Sequence, residues 1–198
     1  MKKGEATRAR ILSEAGRQAA VRGVSAVSLN DVAEAVGLSK SGLFKHFDSK
    51  EAMQEALLID TGQRFVAFVW DPAEPLAPGR ERLERIFELW LDWDQFENAA
   101  GGCLIQAASI EFDDQPGPLR DLVHGQLRRW HKRLAIEMLA LRDPPLSEDD
   151  ARLGVFQMNG FILAHQQSAR LLGDANARAA ARASFKALLD GLTVRAAA

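Results

Sequence analysis

The 198-residue chain has a single cysteine, Cys103, so it can form no internal disulfide and no four-cysteine zinc site. No apolar run reaches the roughly 18 residues that a transmembrane helix needs. The amino terminus, MKKGEATRAR, has charge but no apolar stretch behind it, which is not the pattern of a secretory signal. Glycine-rich phosphate loops, HExxH and GxSxG are all missing, as is any Cys/His arrangement for a nucleophile. His124 and His131 stand seven apart, too far for an i, i+4 metal pair. The acid pairs Asp92/Asp94 and Asp113/Asp114 lack the glycine and carbonyl pattern of a calcium loop. The chain is therefore expected not to be an enzyme, to carry no cofactor or metal, to keep clear of the membrane and to work in the cytoplasm.

A composition of 47% apolar and 26% charged residues excludes a disordered protein. At about 150 residues per domain, the length allows one to two domains. The net charge of −2 hides an asymmetry. Residues 1–50 carry nine basic groups against five acidic ones, a net +4, and the remainder is −6. A basic segment joined to an acidic one suggests a polyanion-binding head on a body that binds something else.

Nothing alternates with period two for long enough to be a strand, and the punctuation separates helices instead. Ile11, Ala15 and Ala19 recur at spacing four between Thr7 and Arg22, and Gly23 stops that helix. Ser28 opens a second as N-cap, with Asp31 at the third position and Val32, Ala33 and Val36 as its apolar stripe. Gly37 suits the left-handed residue that ends a helix, and Ser39 caps a short third one over Lys40–Phe47. A fourth helix spans about residues 50–69, and the proline-bearing stretch 71–79 is a connection. Further helices are expected at about Arg80–Asn98, ended by Gly101-Gly102, and at Cys103–Phe112, Pro118–Leu141, Glu148–Leu172 and Ala175–Leu192. The chain reads as all-α with about nine helices.

Two short helices separated only by Gly37-Leu38 make a helix-turn-helix. The small or basic start of its second helix, Ser39-Lys40-Ser41-Gly42, allows close approach to a major groove, with Leu43, Phe44 and Phe47 anchoring its back in the core. Capping alone is a sufficient alternative explanation of Ser28 and Ser39, and packing of His46.

The run Val27-Ser28-Leu29-Asn30-Asp31-Val32-Ala33, then Ala35-Val36-Gly37-Leu38-Ser39-Lys40, Leu43-Phe44-Lys45-His46-Phe47 and Ser49-Lys50-Glu51, resembles the tetracycline-repressor (TetR) family over about residues 5–62. The resemblance implies a bacterial regulator acting at the nucleoid. Residues 1–50 would be its three-helix DNA-binding domain, helix four the connector, and residues 51–198 an all-α ligand-binding and dimerisation domain. It implies that Lys40, Ser41, Gly42 and Lys45 face the groove, that Lys50 and Ser28 meet phosphates, and that His46 lies beside the DNA backbone. Phe44 departs from the family's usual tyrosine, whose hydroxyl reaches a phosphate, so one such bond is expected to be missing. Gly42 replaces the more usual Thr, Ser or Ala, which counts against direct base reading there.

In the body, Phe87, Trp90, Trp93, Phe96, Phe112 and Trp130 concentrate on helices five to seven. They are either ordinary core or the lining of an effector pocket, with Gln106, Ser109 and Asn159 as its orienting polar groups. Helix eight is apolar nearly all round, with Val155, Met158 and Ile162, and helix nine carries Ala181, Phe185, Leu188 and Leu192 on one stripe. These side chains are either buried within one chain or form the family's four-helix dimer interface. The expected partners are thus a double-stranded palindromic operator, a second copy of the chain, and a small apolar or aromatic effector that releases the DNA. A DNA-binding activator without a ligand, and a small-molecule-binding protein or enzyme with a vestigial head, are the alternatives. Cys103, after the glycine pair, is either a redox sensor or small apolar filler.

Overall fold

The computed structural model describes residues 3–97 and 102–194, and among these there are nine α-helices and no strand. In chain order they are α1 (Lys3–Arg22), α2 (Leu29–Ala35), α3 (Lys40–Phe44), α4 (Lys50–Phe65) and α5 (Arg80–Glu97). Then follow α6 (Leu104–Glu111), α7 (Pro118–Leu139), α8 (Glu148–Gln166) and α9 (Ala177–Val194). The expected all-α class is the one found. Asn98 and Gly101, expected at the end of α5, lie outside the described residues. Helices four and eight each run on into one wider π-helical turn, Val66–Trp70 and Gln167–Leu171. Helix three is shorter than expected, ending at Phe44.

The chain divides into two compact units, residues 1–66 with 94–127 and residues 67–93 with 128–198. The expected boundary at 50/51 does not coincide with this division, for a reason of packing. Ile11, Ala15 and Ala19 of α1 are buried on one stripe, and α1 packs on α2, α4 and α6. Met53, Leu57 and Leu58 of α4 are fully buried on the facing side, and α4 also packs on α6. Each such side chain contributes about 1.5–3 kcal/mol of burial free energy, so α4 and α6 are built into the same core as the head.

In the second unit α8 packs on α9. Phe87 of α5 stacks on Phe185 of α9, ring centroids 4.1 Å apart. Arg178 and Arg182 of α9 pair with Glu88 of α5 at the edge of the same contact. Among the described residues, no helix is long and apolar enough to cross a membrane.

Candidate nucleic-acid interface

The head is assembled by local rules that leave little freedom. Ser28 caps α2, its hydroxyl accepting from the Asp31 N–H at 3.1 Å. At the other end, Leu38 N donates to Ala33 O at 2.9 Å and Gly37 N to Glu34 O at 3.1 Å. This paired closure requires a left-handed residue, and Gly37 supplies it at φ +69°. Arg10 of α1 donates to Val36 O at 2.6 Å, tying the end of α2 to the first helix.

Ser39 then caps α3. Its hydroxyl accepts from Gly42 N at 3.1 Å and shares a 3.1 Å hydrogen bond with the Ser41 hydroxyl. A Cβ on Gly42 would lie 3.2 Å from that same Ser39 oxygen, so the glycine leaves room for the cap of its own helix.

Leu43 and Phe47 are buried at 0% and 4% exposure and hold the back of this segment in the core. Phe44 does not join them: at 39% exposed it stands on the outer side, since consecutive helical positions point about 100° apart. Lys40, Ser41 and Lys45 are exposed, and Gly42 and His46 half-buried. The outer side of the segment is thus small, basic and aromatic. Lys50, the first residue of α4, donates from Nζ to Ser25 O at 2.6 Å. An ammonium has three N–H donors, so two remain for a phosphate oxygen. Ser28 and Ser39 accept with their hydroxyl oxygens in the caps, and the Ser28 O–H proton can still be donated to a phosphate.

The body residues singled out from the sequence are dispersed. In the first unit, Phe96 is 59% exposed and Ser109 donates its hydroxyl to Gln106 O at 2.7 Å. Gln106 is buried, and among the described residues neither its amide nitrogen nor its amide oxygen has a hydrogen-bond partner. In the second unit, Trp90 and Trp70 each meet Trp130 edge-on, at 5.4 and 6.4 Å, and Trp93 lies 5.8 Å from Phe68. Phe87 is taken up by its stack on Phe185, and Asn159 is half-buried. Val155, Met158, Ile162, Ala181, Phe185 and Leu192 are all buried within the single chain, and Leu188 is half-buried. The first six are therefore core positions of the second unit, and Phe185 among them faces α5. Cys103 is buried and in no disulfide, at the N-cap of α6.

The family model described as bacterial regulatory proteins, tetR family, matches residues 11–57, and that described as tetracyclin repressor-like, C-terminal domain, matches residues 79–185. The chain belongs to the TetR family. Its members are DNA-binding transcription regulators, and the α2–α3 pair is the helix-turn-helix of this one. None of the curated proteins compared matches the sequence.

Solved structures agree in fold. A TetR-family regulator from Cytophaga hutchinsonii is similar over 98% of this chain and 98% of its own, with a TM-score of 0.79 at 21% identity. One from Streptomyces coelicolor covers 96% and 97%, with a TM-score of 0.82 at 15% identity. AibR, solved with isovaleryl coenzyme A and operator DNA, covers 92% and 97%, with a TM-score of 0.74 at 19% identity.

Two residues of this TetR head escape a reading of the helix-turn-helix alone. Arg10 reaches the turn from α1. Gln54, only 3% exposed, donates to Val24 O at 2.7 Å. The signal for Gln54 is present in the sequence: an amide stands among Met53, Leu57 and Leu58 on the inward stripe of α4, where only a polar partner inside the fold would retain it.

Proposed function

We propose that this TetR-family protein is a repressor that binds a palindromic operator as a homodimer and is released by a small apolar or aromatic effector. The observation that carries the reading is the outer side of α3. Lys40, Ser41 and Lys45 are exposed above a fully buried Leu43. Lys40, Ser41, Gly42 and Lys45 are the groove-facing set, and Lys50, His46 and Ser28 border the phosphates. A protein that acts on chromosomal DNA works in the cytoplasm, at the nucleoid.

The second copy would sit on the outward side of α8 and α9. Leu153, Phe156, Gly160 and Leu163 are exposed along one stripe of α8, and Ala180, Ser184, Ala187 and Gly191 along one stripe of α9. A ridge with a large ring beside a strip of small side chains is self-complementary under a two-fold axis. Leu188 is half-buried, whereas Val155, Met158, Ile162, Ala181, Phe185 and Leu192 are buried in the core.

For the effector, Gln106 is the polar anchor this chain offers, because its unpartnered amide is costly to bury. Separately, within the second unit, the rings of Trp90, Trp93 and Trp130 are the apolar surface proposed for a guest. AibR, which shares the fold, was solved with isovaleryl coenzyme A and operator DNA, which supports a small-molecule effector here.

In vitro selection from random duplexes, followed by footprinting, tests the reading. A palindromic site is expected, with Lys45→Ala weakening it and lowering the salt slope by about one counterion in each half-site, about two in all. Selection that enriches no sequence would overturn it. Screening apolar and aromatic compounds for release of the selected duplex tests the effector.

A further inference from the structure

We propose that Glu111, at the end of α6 and 64 residues beyond Phe47 of the helix-turn-helix segment, is a positioning residue for DNA binding, because its carboxylate clamps the turn between α1 and α2. The turn begins at Gly23, φ +86°, after which two successive backbone N–H groups point to the same side. Glu111 Oε2 accepts from Val24 N at 2.8 Å and Oε1 from Ser25 N at 2.6 Å. The carboxylate also lies 3.2–3.3 Å from where a Cβ on Gly23 would be, so the glycine serves both the left-handed backbone and the room the clamp needs.

The carbonyls of the same two residues are held from α4. Val24 O accepts from Gln54 Nε2 at 2.7 Å, and Ser25 O accepts from Lys50 Nζ at 2.6 Å. All four backbone polar groups of Val24 and Ser25 are therefore bound by three side chains from outside the turn, and Val24 O also accepts from Val27 N at 3.2 Å within it. Both bonds to Glu111 are charge-assisted, about twice the strength of neutral ones. Val24 and Val27, each at 0% exposure, pin the turn into the core. The shape of the segment leading to Ser28, and so the placement of α2 and α3, is set by α4 and α6.

The consequence for binding rests on the reading that α3, Ser28 and Lys50 meet DNA. Without the carboxylate, Val24 and Ser25 lose their acceptors, and the turn carbonyl that orients Lys50 is no longer fixed. Several contacts that must reach the duplex together are then held less firmly, and each lost degree of preorganisation lowers affinity.

The test uses the full chain as wild type, Glu111→Ala and Glu111→Gln, with two readouts. Amide hydrogen exchange at Val24 and Ser25 needs no DNA and reports the clamp directly. Affinity for the duplex selected with wild-type protein reports its consequence. Glu111→Ala is expected to speed exchange at those two amides at least about tenfold, leave α8 and α9 unchanged, and weaken the duplex about tenfold. Glu111→Gln, whose amide oxygen still accepts one bond, is expected to fall between, and it serves if the alanine variant fails to fold. Fast exchange with undiminished affinity, or unchanged exchange, would overturn the assignment. Should wild-type protein select no duplex while exchange still responds to Glu111, the DNA reading has failed and the assignment with it, but the clamp stands as a structural contact.

Discussion

Phe44 is where a single side chain separates this protein from its relatives' pattern. The chain contains no tyrosine at all, and at this position the ring is 39% exposed on the outer side of α3. A ring left partly uncovered suits a surface that, on the proposed reading, closes against a duplex. Sequence reasoning placed Phe44 in the core because Leu43 and Phe47 belong there; a five-residue helix has no second turn in which periodicity could separate the two sides. Restoring the hydroxyl gives the first prediction. Phe44→Tyr should tighten binding of the selected duplex by the worth of one net hydrogen bond in each half-site, about tenfold or more in all, with the melting temperature unchanged. A fluorescence-anisotropy titration measures this, and equal affinities would show that the ring lies away from the phosphates. Gly42 makes the complementary point. Its departure from the family pattern has a steric reason inside the protein, the 3.2 Å separation from Ser39 Oγ, which no reading of the groove alone would reveal.

At the scale of elements, what could be read from the sequence was what is decided locally. The caps Ser28 and Ser39 and the Gly37 turn all lie within a few residues of the groups they satisfy. Helix α8 is different: apolar nearly all round, it gives no periodic signal for which side meets α9. Val155, Met158 and Ile162 turned inward, and Phe156 was left at 76% exposure. Glu111 was equally illegible, since its partners lie 86 and 87 residues away in sequence.

The pairing of α5 with α9 carries a pH prediction. Burial pushes the Glu88 carboxyl up, but hydrogen bonds from Arg182 and Arg178, together with their charge, outweigh it and hold the group below its ordinary value. A carboxylate lowered in the folded state adds stability that is present above the unfolded value. That stability is lost as pH falls through the lower folded one. Glu88→Gln should therefore melt below wild type at neutral pH, and the gap should close on acidification through the carboxylate range. Thermal melts from pH 7 to pH 3 check this, and a gap independent of pH would mean that the charge on Glu88 contributes nothing.

For the whole molecule, the question is why a head of five dozen residues is joined to a larger acidic body. One α3 reads only a few base pairs, and its phosphate contacts are shared by every sequence. Two heads held in fixed register read a palindrome, with half-site centres about 34–36 Å apart, so affinity and specificity both depend on the second copy. On this reading Phe156 carries the weight of the interface, as the largest exposed ring on α8 with the small side chains of α9 beside it. Central aromatic side chains commonly contribute at least about 2 kcal/mol to such contacts, roughly a thirtyfold change in the dissociation constant. Phe156→Glu adds the cost of an unpaired charge and should give a folded monomer, because the ring lies outside the core of Val155, Met158 and Ile162. Light scattering across micromolar concentrations should show the mass halved relative to wild type. The variant should keep weak, salt-sensitive binding to arbitrary duplex DNA while losing its preference for the palindrome. If it remains a dimer that still prefers the palindrome, α8 is not the joining surface.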